Sequence, residues 1–152
     1  MRTAVPNDES RLVELMAEFY AEAGFELDCE HAAAAFAALL ADDRLGQVWL
    51  LETDSAPVGY LVLTFRYSME YGGPAGILDE LFIRRPFCDR GLATAAVSEL
   101  CEFCRARGLR AISVEAGREN DAAQRVYRGA GFVATDRQLL ALELAKPAHA
   151  NE

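Results

Sequence analysis

Asp79 and Glu80 stand side by side in an otherwise apolar stretch, Ile77-Leu78-Asp79-Glu80-Leu81-Phe82-Ile83. Carboxylates are costly to take out of water, so two of them in such a strand point to work only an acid does, such as accepting a proton. Gly91 follows eight residues after Ile83, in the run Cys88-Asp89-Arg90-Gly91-Leu92-Ala93-Thr94, where a helix is expected to begin. A helix start offers unpaired N–H groups and partial positive charge, which together suit an anion such as a phosphate. Gly91 lets the backbone bend and come close, Ala93 keeps the first turn free of bulk, and Thr94 can add a hydroxyl. The same residues also describe an ordinary loop with a glycine ahead of a helix. Neither G-x-x-x-x-G-K-[ST] nor G-x-G-x-x-G occurs, so the two common nucleotide loops are excluded.

A second group lies further on. Asn120 is a good helix N-cap, and Ala123, Val126, Tyr127 and Ala130 then fall on one helical face. A phenol ionises near pH 10 and a thiol near 8.5, close enough for a proton to pass between them. Glu115 precedes Asn120 by five residues and is a third candidate base beside Asp79 and Glu80. Cys101-x-x-Cys104 has the spacing of a metal or redox pair, but both sulfurs fall on the apolar stripe of their helix and no second pair exists. They read as core, as does Trp49. His31 and His149 have no ligand or nucleophile near them in sequence, so no metal site is expected.

The elements that must position these residues follow from periodicity. A short strand closes at Val5-Pro6, and Asn7 or Asp8 caps a helix carrying Leu12, Leu15, Met16, Phe19 and Tyr20. Asp28 caps a second, Ala-rich helix. Strands at 47–51 and 58–65 form a hairpin about Asp54-Ser55-Ala56-Pro57. After the Gly-rich loop Glu70-Tyr71-Gly72-Gly73-Pro74 comes the strand 75–83. The helix from Leu92 to Arg107 places Ala93, Ala96, Val97, Leu100, Cys101 and Cys104 on one face and ends at Gly108. A strand over 110–115, the Asn120 helix, and terminal strands at 132–134 and 138–144 complete the chain. Residues 147–152 are expected to fray.

Composition limits what the chain does. Its 152 residues, 52% apolar, suffice for one domain with a real core. No run of apolar residues is long enough to span a membrane, the first residues lack a signal peptide's apolar core, and the cysteine pattern suits a reducing interior. The expected location is the cytoplasm. The net charge of −9 is uneven: residues 1–83 carry −11 and residues 84–128 carry +3. A nucleic-acid binder needs a clustered basic face, which this is not. Either a monomer or a homodimer fits.

Asn120, Ala123, Tyr127 and Gly131-Phe132 resemble the closing helix signature of the GNAT superfamily of N-acetyltransferases. Leu81-Phe82-Ile83 followed by Arg90-Gly91-Leu92-Ala93 resembles that family's upstream pattern, and the likeness covers essentially the whole chain. Three departures stand there: Cys88 where the family usually has Arg or Gln, Asp89 where Gly is common, and Pro86 one residue later than the usual proline. The resemblance implies an α/β fold, a mixed central sheet of six to seven strands with helices on both faces, as a single domain over 1–146. It implies acetyl-CoA as co-substrate, with the pyrophosphate on Asp89, Arg90, Gly91, Leu92, Ala93 and Thr94. The pantetheine arm would lie along Leu81, Phe82 and Ile83, with Asn120 assisting. In that scheme the Leu81 amide polarises the thioester carbonyl and Tyr127 protonates the departing thiolate. A carboxylate deprotonates the amine: Glu80 is preferred, with Asp79 and Glu115 as alternatives. Glu70 and Asp79 are candidates for seating the substrate. The expected reaction is acetyl transfer to a primary amine by direct attack in a ternary complex. The acidic N-terminal portion favours a cationic small molecule as acceptor. The alternatives are a protein N-terminus or lysine as acceptor, or a non-catalytic acyl-CoA-binding module.

Overall fold

Leu12 and Leu15, three residues apart, are wholly buried and fix the inner face of helix α1 (Glu9–Ala23). The computed structural model describes residues 1–54 and 56–144. Helix α2 (Cys29–Ala41) begins at Asp28, whose carboxylate accepts the N–H groups of Glu30 and His31, and buries Ala32 and Phe36. Five strands follow the order β1-β2-β3-β4-β5: β1 (Arg2–Thr3), β2 (Gly46–Thr53), β3 (Ala56–Ser68), β4 (Gly73–Ile83) and β5 (Ile112–Val114). The first four are antiparallel. The crossover through helix α3 (Leu92–Ala106) makes β5 parallel to β4. Helix α4 (Asp121–Gly129) comes after β5.

Helices cover both faces. Val48, Leu50, Tyr60, Val62 and Phe82 pack beneath α1 and α2. Trp49, Leu51, Leu61, Leu63 and Leu78 pack beneath Ala96, Val97, Leu100, Cys101 and Cys104 of α3. The cysteine pair is therefore core, and burial pushes the Cys104 thiol up to about 11. Trp49 meets the Phe103 ring edge to face at 4.9 Å.

Two irregularities in β4 create the site. Val62 pairs with Glu80 but Leu63 pairs with Leu78, so Asp79 is the extra residue of a bulge. Simple alternation would put Asp79 on the face of Leu81 and Ile83. Instead the bulge shifts the register, so that Leu78, Leu81 and Ile83 face α3 while Glu80 and Phe82 face α1 and α2. The second irregularity is that β5 stops early. Its ladder with β4 runs only from Gly76–Ile112 to Leu78–Val114, and β4 continues to Ile83 with no strand on that side among the described residues.

The sheet has five strands, not six to seven. Neither 132–134 nor 138–144 joins it, and Leu139, Leu140, Leu142 and Leu144 are 69–91% exposed. The alternation of a strand is there but the partner is not, because a groove separates the outer edge of β5 from this segment. The expected tail at 147–152 and the turn residue 55 lie outside the described residues.

Candidate active site

Gly91 is the N-cap of α3 at φ 76°, in the left-handed region, and caps the helix with no side-chain bond. The first helical bond runs from Ala95 N–H to the Gly91 carbonyl, so the amides of Leu92, Ala93 and Thr94 have no partner within the helix. A Cβ built on Gly91 would meet nothing within 4 Å. The turn thus needs glycine for its backbone angle, and it leaves open space where an anion would sit.

That space continues into the gap beyond β5. Arg84 donates its N–H to Val58 on β3, and Gly76 donates to Ala111 on the other side. Counting back from Arg84 in steps of two turns the amides of Phe82 and Glu80 toward β3 and those of Leu81 and Ile83 toward the gap. The cleft formed here measures about 610 Å³. It is lined by β4 (Leu81, Phe82, Ile83), the turn and start of α3 (Cys88, Asp89, Gly91 to Thr94), α4 (Ala122, Ala123, Arg125, Val126, Tyr127) and the end of α1 (Phe19, Glu22, Ala23). Nine of the eleven expected cofactor-contact residues line it; Arg90 and Asn120 do not, though Arg90 stacks its guanidinium over Phe87, a lining residue.

Asn120 caps α4, its Oδ1 accepting the Ala123 N–H at 3.1 Å. The cap aims the helix, and two turns later Tyr127 lines both the cleft and the groove outside β5. Its ring packs near Phe132 with centroids 5.7 Å apart. Burial raises the Tyr127 phenol above its ordinary value, and no protein group among the described residues bonds its hydroxyl.

The three candidate acids are separated. Glu80 is half-buried between two phenols: Tyr60 donates to Oε2 at 2.6 Å and Tyr20 to Oε1 at 3.1 Å. Burial raises its pKa, the two hydroxyls pull it down, and Asp79 pushes it up, leaving it above the ordinary carboxylate value. Asp79 is exposed on the bulge, next to the gap. Glu115 is exposed just past β5 and lines the outer groove. Glu70 is on the β3–β4 loop, where Arg137 clasps both its oxygens at 2.7 and 3.1 Å.

Several contributors left no trace in the sequence. Tyr20 and Tyr60 reach Glu80 from 60 and 20 residues away. Glu18 grips Arg84 through two bonds of 2.6 and 2.7 Å, and Arg84 also bonds the Pro57 carbonyl, tying α1 to the end of β4. Arg125 brings a cation to the cleft wall. Among the described residues no cluster of three or more His, Cys, Asp or Glu could hold a metal ion, and no helix is long and apolar enough to cross a membrane.

Other solved structures share the overall fold. A protein from an integron cassette of the Cole Harbour Salt Marsh metagenome is 43% identical, with a TM-score of 0.88 over 96% of this chain and 91% of that one. A predicted acetyltransferase from Clostridium acetobutylicum, solved with acetyl-CoA, is 21% identical, with a TM-score of 0.78 over 93% of this chain and 94% of that one. The aminoglycoside N-acetyltransferase AAC(6')-Iy, solved with CoA, is 18% identical, with a TM-score of 0.79 over 95% and 93%. These last two show a shared fold. No curated protein matches the chain at a significant level. Residues 10–132, from the first turn of α1 to the Phe132 that packs on Tyr127, match one family description throughout, and the chain belongs to the acetyltransferase (GNAT) family.

Proposed function

We propose that the chain transfers the acetyl group of acetyl-CoA to a primary amine on a cationic small molecule, by direct attack in a ternary complex. The observation that carries this is the single cleft joining the uncapped start of α3, the unpaired edge of β4 and Tyr127. Acetyl-CoA fits these residues: the free amides at Leu92 to Thr94 suit its pyrophosphate, and the open edge from Leu81 to Ile83 suits an amide-bearing arm. When bound, it supplies an acyl group activated as a thioester.

The chain's own groups do the rest. The Leu81 amide, turned into the gap, donates to the thioester carbonyl oxygen and stabilises charge that develops there. An alkylammonium, with pKa near 10.4, has no free lone pair at neutral pH, so Glu80 takes its proton directly or through one water. Its raised pKa suits it to this, since a base is most useful when its pKa lies nearer the working pH. Tyr127 donates its phenolic proton to the departing sulfur. The proton count balances: one leaves the amine and one reaches the thiolate.

The acidic first 83 residues support a cationic acceptor, as does Glu22 on the cleft wall beside the end of α1. The aminoglycoside acetyltransferase with the same fold is consistent with this choice. The test has two arms. Acetyl-CoA at about a hundred times its Kd should stabilise the protein by roughly 2.7 kcal/mol, a melting shift of about 5–10 °C. An equal shift with ATP or NAD would count against the cleft. In a thiol-release screen, polyamines and aminoglycoside-like cations should outperform aspartate, with kcat/KM falling as salt rises. Preference for acidic or neutral amines would overturn the substrate assignment alone.

Asp89 makes a separate prediction. It holds φ 58° with an exposed carboxylate on the cleft wall and does not cap α3. Asp89→Gly removes both a strained backbone angle and a charge that repels phosphate. Acetyl-CoA should bind severalfold tighter to this variant, and its melting temperature should rise slightly. Calorimetric titration showing weaker binding would mean the carboxylate orders the turn.

A further inference from the structure

The two phenols that hold Glu80 differ in kind. Tyr60 stands on β3, is wholly buried and meets the Phe36 ring of α2 edge to face at 5.9 Å. Its 2.6 Å bond to Oε2 comes with the sheet and the core. Tyr20 stands in the last turn of α1, is half-buried, and reaches Oε1 at 3.1 Å. That bond forms only when the end of α1 is seated on β4.

The fold seats this end firmly. Phe19 stacks on Phe82 with centroids 5.3 Å apart, and Glu18 pairs with Arg84. Gly24, at φ 78°, closes the helix, and Phe25 donates its N–H back to the Tyr20 carbonyl at 2.8 Å. The Phe25 ring then lies edge-on to that of Tyr20, with centroids 6.5 Å apart. Phenylalanine at position 20 would make all these contacts equally well. The hydroxyl is the part they leave over, and at a half-buried site water can bond a hydroxyl. Its reach to Glu80 is therefore not something packing requires.

We propose that Tyr20 is a positioning residue for acetyl transfer: its hydroxyl, together with that of Tyr60, holds the ionised Glu80 carboxylate in one orientation toward the incoming amine.

The proposal rests on Glu80 being the base. The last torsion of a glutamate is broad, so a single bond leaves the carboxylate free to swing. Donors on opposite oxygens stop it, and each oxygen keeps a lone pair for the amine's proton. Donors to a carboxylate also favour its charged form. Burial is the largest influence on Glu80 and pushes it up, Tyr60 and Tyr20 pull it down, and Asp79 on the same strand pushes it up. To this cluster α2 brings the uncharged Phe36 ring, while Glu18 on α1 is engaged with Arg84. The end of α1 also supplies Phe19, Glu22 and Ala23 to the acetyl-CoA cleft. Seating α1 thus completes the cleft wall and readies the base in one step.

The test follows kcat/KM against pH for wild type, Tyr20→Phe and Glu80→Gln, with acetyl-CoA and the best polyamine or aminoglycoside of the thiol-release screen. In parallel, ¹³C NMR follows the Glu80 carboxyl, identified by its loss in Glu80→Gln. In Tyr20→Phe both the acid limb and the carboxyl titration should move up by about one pH unit, so that activity on that limb falls about tenfold. The loss should lie in kcat, with the KM for acetyl-CoA unchanged. If the Phe variant does not fold, Tyr20→Met, which also lacks a donor, reads the same point. An unmoved limb and titration, with the limb absent from Glu80→Gln, would overturn the role of Tyr20 and leave the base in place. A loss confined to the KM for acetyl-CoA would make Tyr20 a support of the cleft wall and overturn it too. Wild-type rates in Glu80→Gln, or no amine acetylated at all, would sink the reading of the reaction and this proposal with it.

Discussion

Glu80→Gln should lower kcat/KM by about 10²–10⁴-fold and, at the same time, raise the melting temperature at pH 8. The two effects have one cause. Glu80 is half-buried, and burial is the largest influence on its carboxyl, raising the pKa above the ordinary value despite the bonds from Tyr60 and Tyr20. A folded-state pKa above the unfolded one means that folding favours the protonated acid. The stability this gives is complete below the unfolded value and is lost as pH rises through the folded value. Glutamine stays neutral, so its advantage over wild type should widen from pH 4 to pH 8. The catalytic loss should carry its own signature. In wild type, kcat/KM should fall on the acid side with an apparent pKa above about 4.3, the usual glutamate value. In the Gln variant this limb should vanish along with most of the activity. An unchanged rate in a stabilised variant would leave Glu80 as an anchor for α1 and pass the base to Asp79 or Glu115.

The phenols around Glu80 remain donors throughout such an experiment. Burial is the main reason that Tyr20 is pushed up to about 12, and Tyr60, wholly buried, is pushed higher still. Neither loses its proton in the range where activity would be measured. Their hydroxyls therefore hold both carboxylate oxygens in place at every working pH, one from α1 and one from β3.

What the sequence revealed of this site follows from how local each feature is. The turn at Gly91 and the cap at Asn120 were legible because capping and left-handed geometry select residue types at fixed offsets. The stripe on α3 was legible from its period, and Ala96, Val97, Leu100, Cys101 and Cys104 are its buried residues. The bulge at Asp79 was not, since alternation carries no mark of an inserted residue except two adjacent acids where apolar residues should alternate. The clasp of Glu80 was illegible for another reason: Tyr20 and Tyr60 meet it only through sheet register and the packing of α1. The 138–144 strand failed oppositely. Its pattern is a strand's, but a pattern states which face wants burial and not which partner supplies it.

The same long-range contacts tie function to stability. Glu18 on Arg84 and Tyr20 on Glu80 both fasten α1 to β4, and α1 supplies Phe19, Glu22 and Ala23 to the cleft wall. The bulge, the β4 edge and α1 are thus one connected unit. By contrast α4 has no buried residue and leans on the α3 core through Val126, Tyr127 and Ala130. Substitutions of the proposed catalytic residue on α4 must therefore preserve packing to be interpretable.

Tyr127→Phe meets that condition and should lower kcat while leaving acetyl-CoA affinity and melting temperature close to wild type. The ring that packs on Phe132 and the α3 core is retained. Only the hydroxyl is lost, and no protein group among the described residues depends on it, so no buried partner is left unsatisfied. In the proposed reaction the phenol acts when the thiolate departs, so its loss belongs to the transition state and should leave substrate binding alone. General-acid assistance is typically worth about 10²–10⁴-fold, which bounds the fall from above, and a loss of only about tenfold is accommodated if solvent supplies the proton. Burial raises the Tyr127 pKa, so the phenol stays protonated and the wild-type rate should show no decline from this group below about pH 10. Single-turnover rates measured with chemistry limiting provide the check. A Phe variant that turns over at the wild-type rate, with wild-type melting temperature, would reduce Tyr127 to a packing residue and move the acid role to solvent.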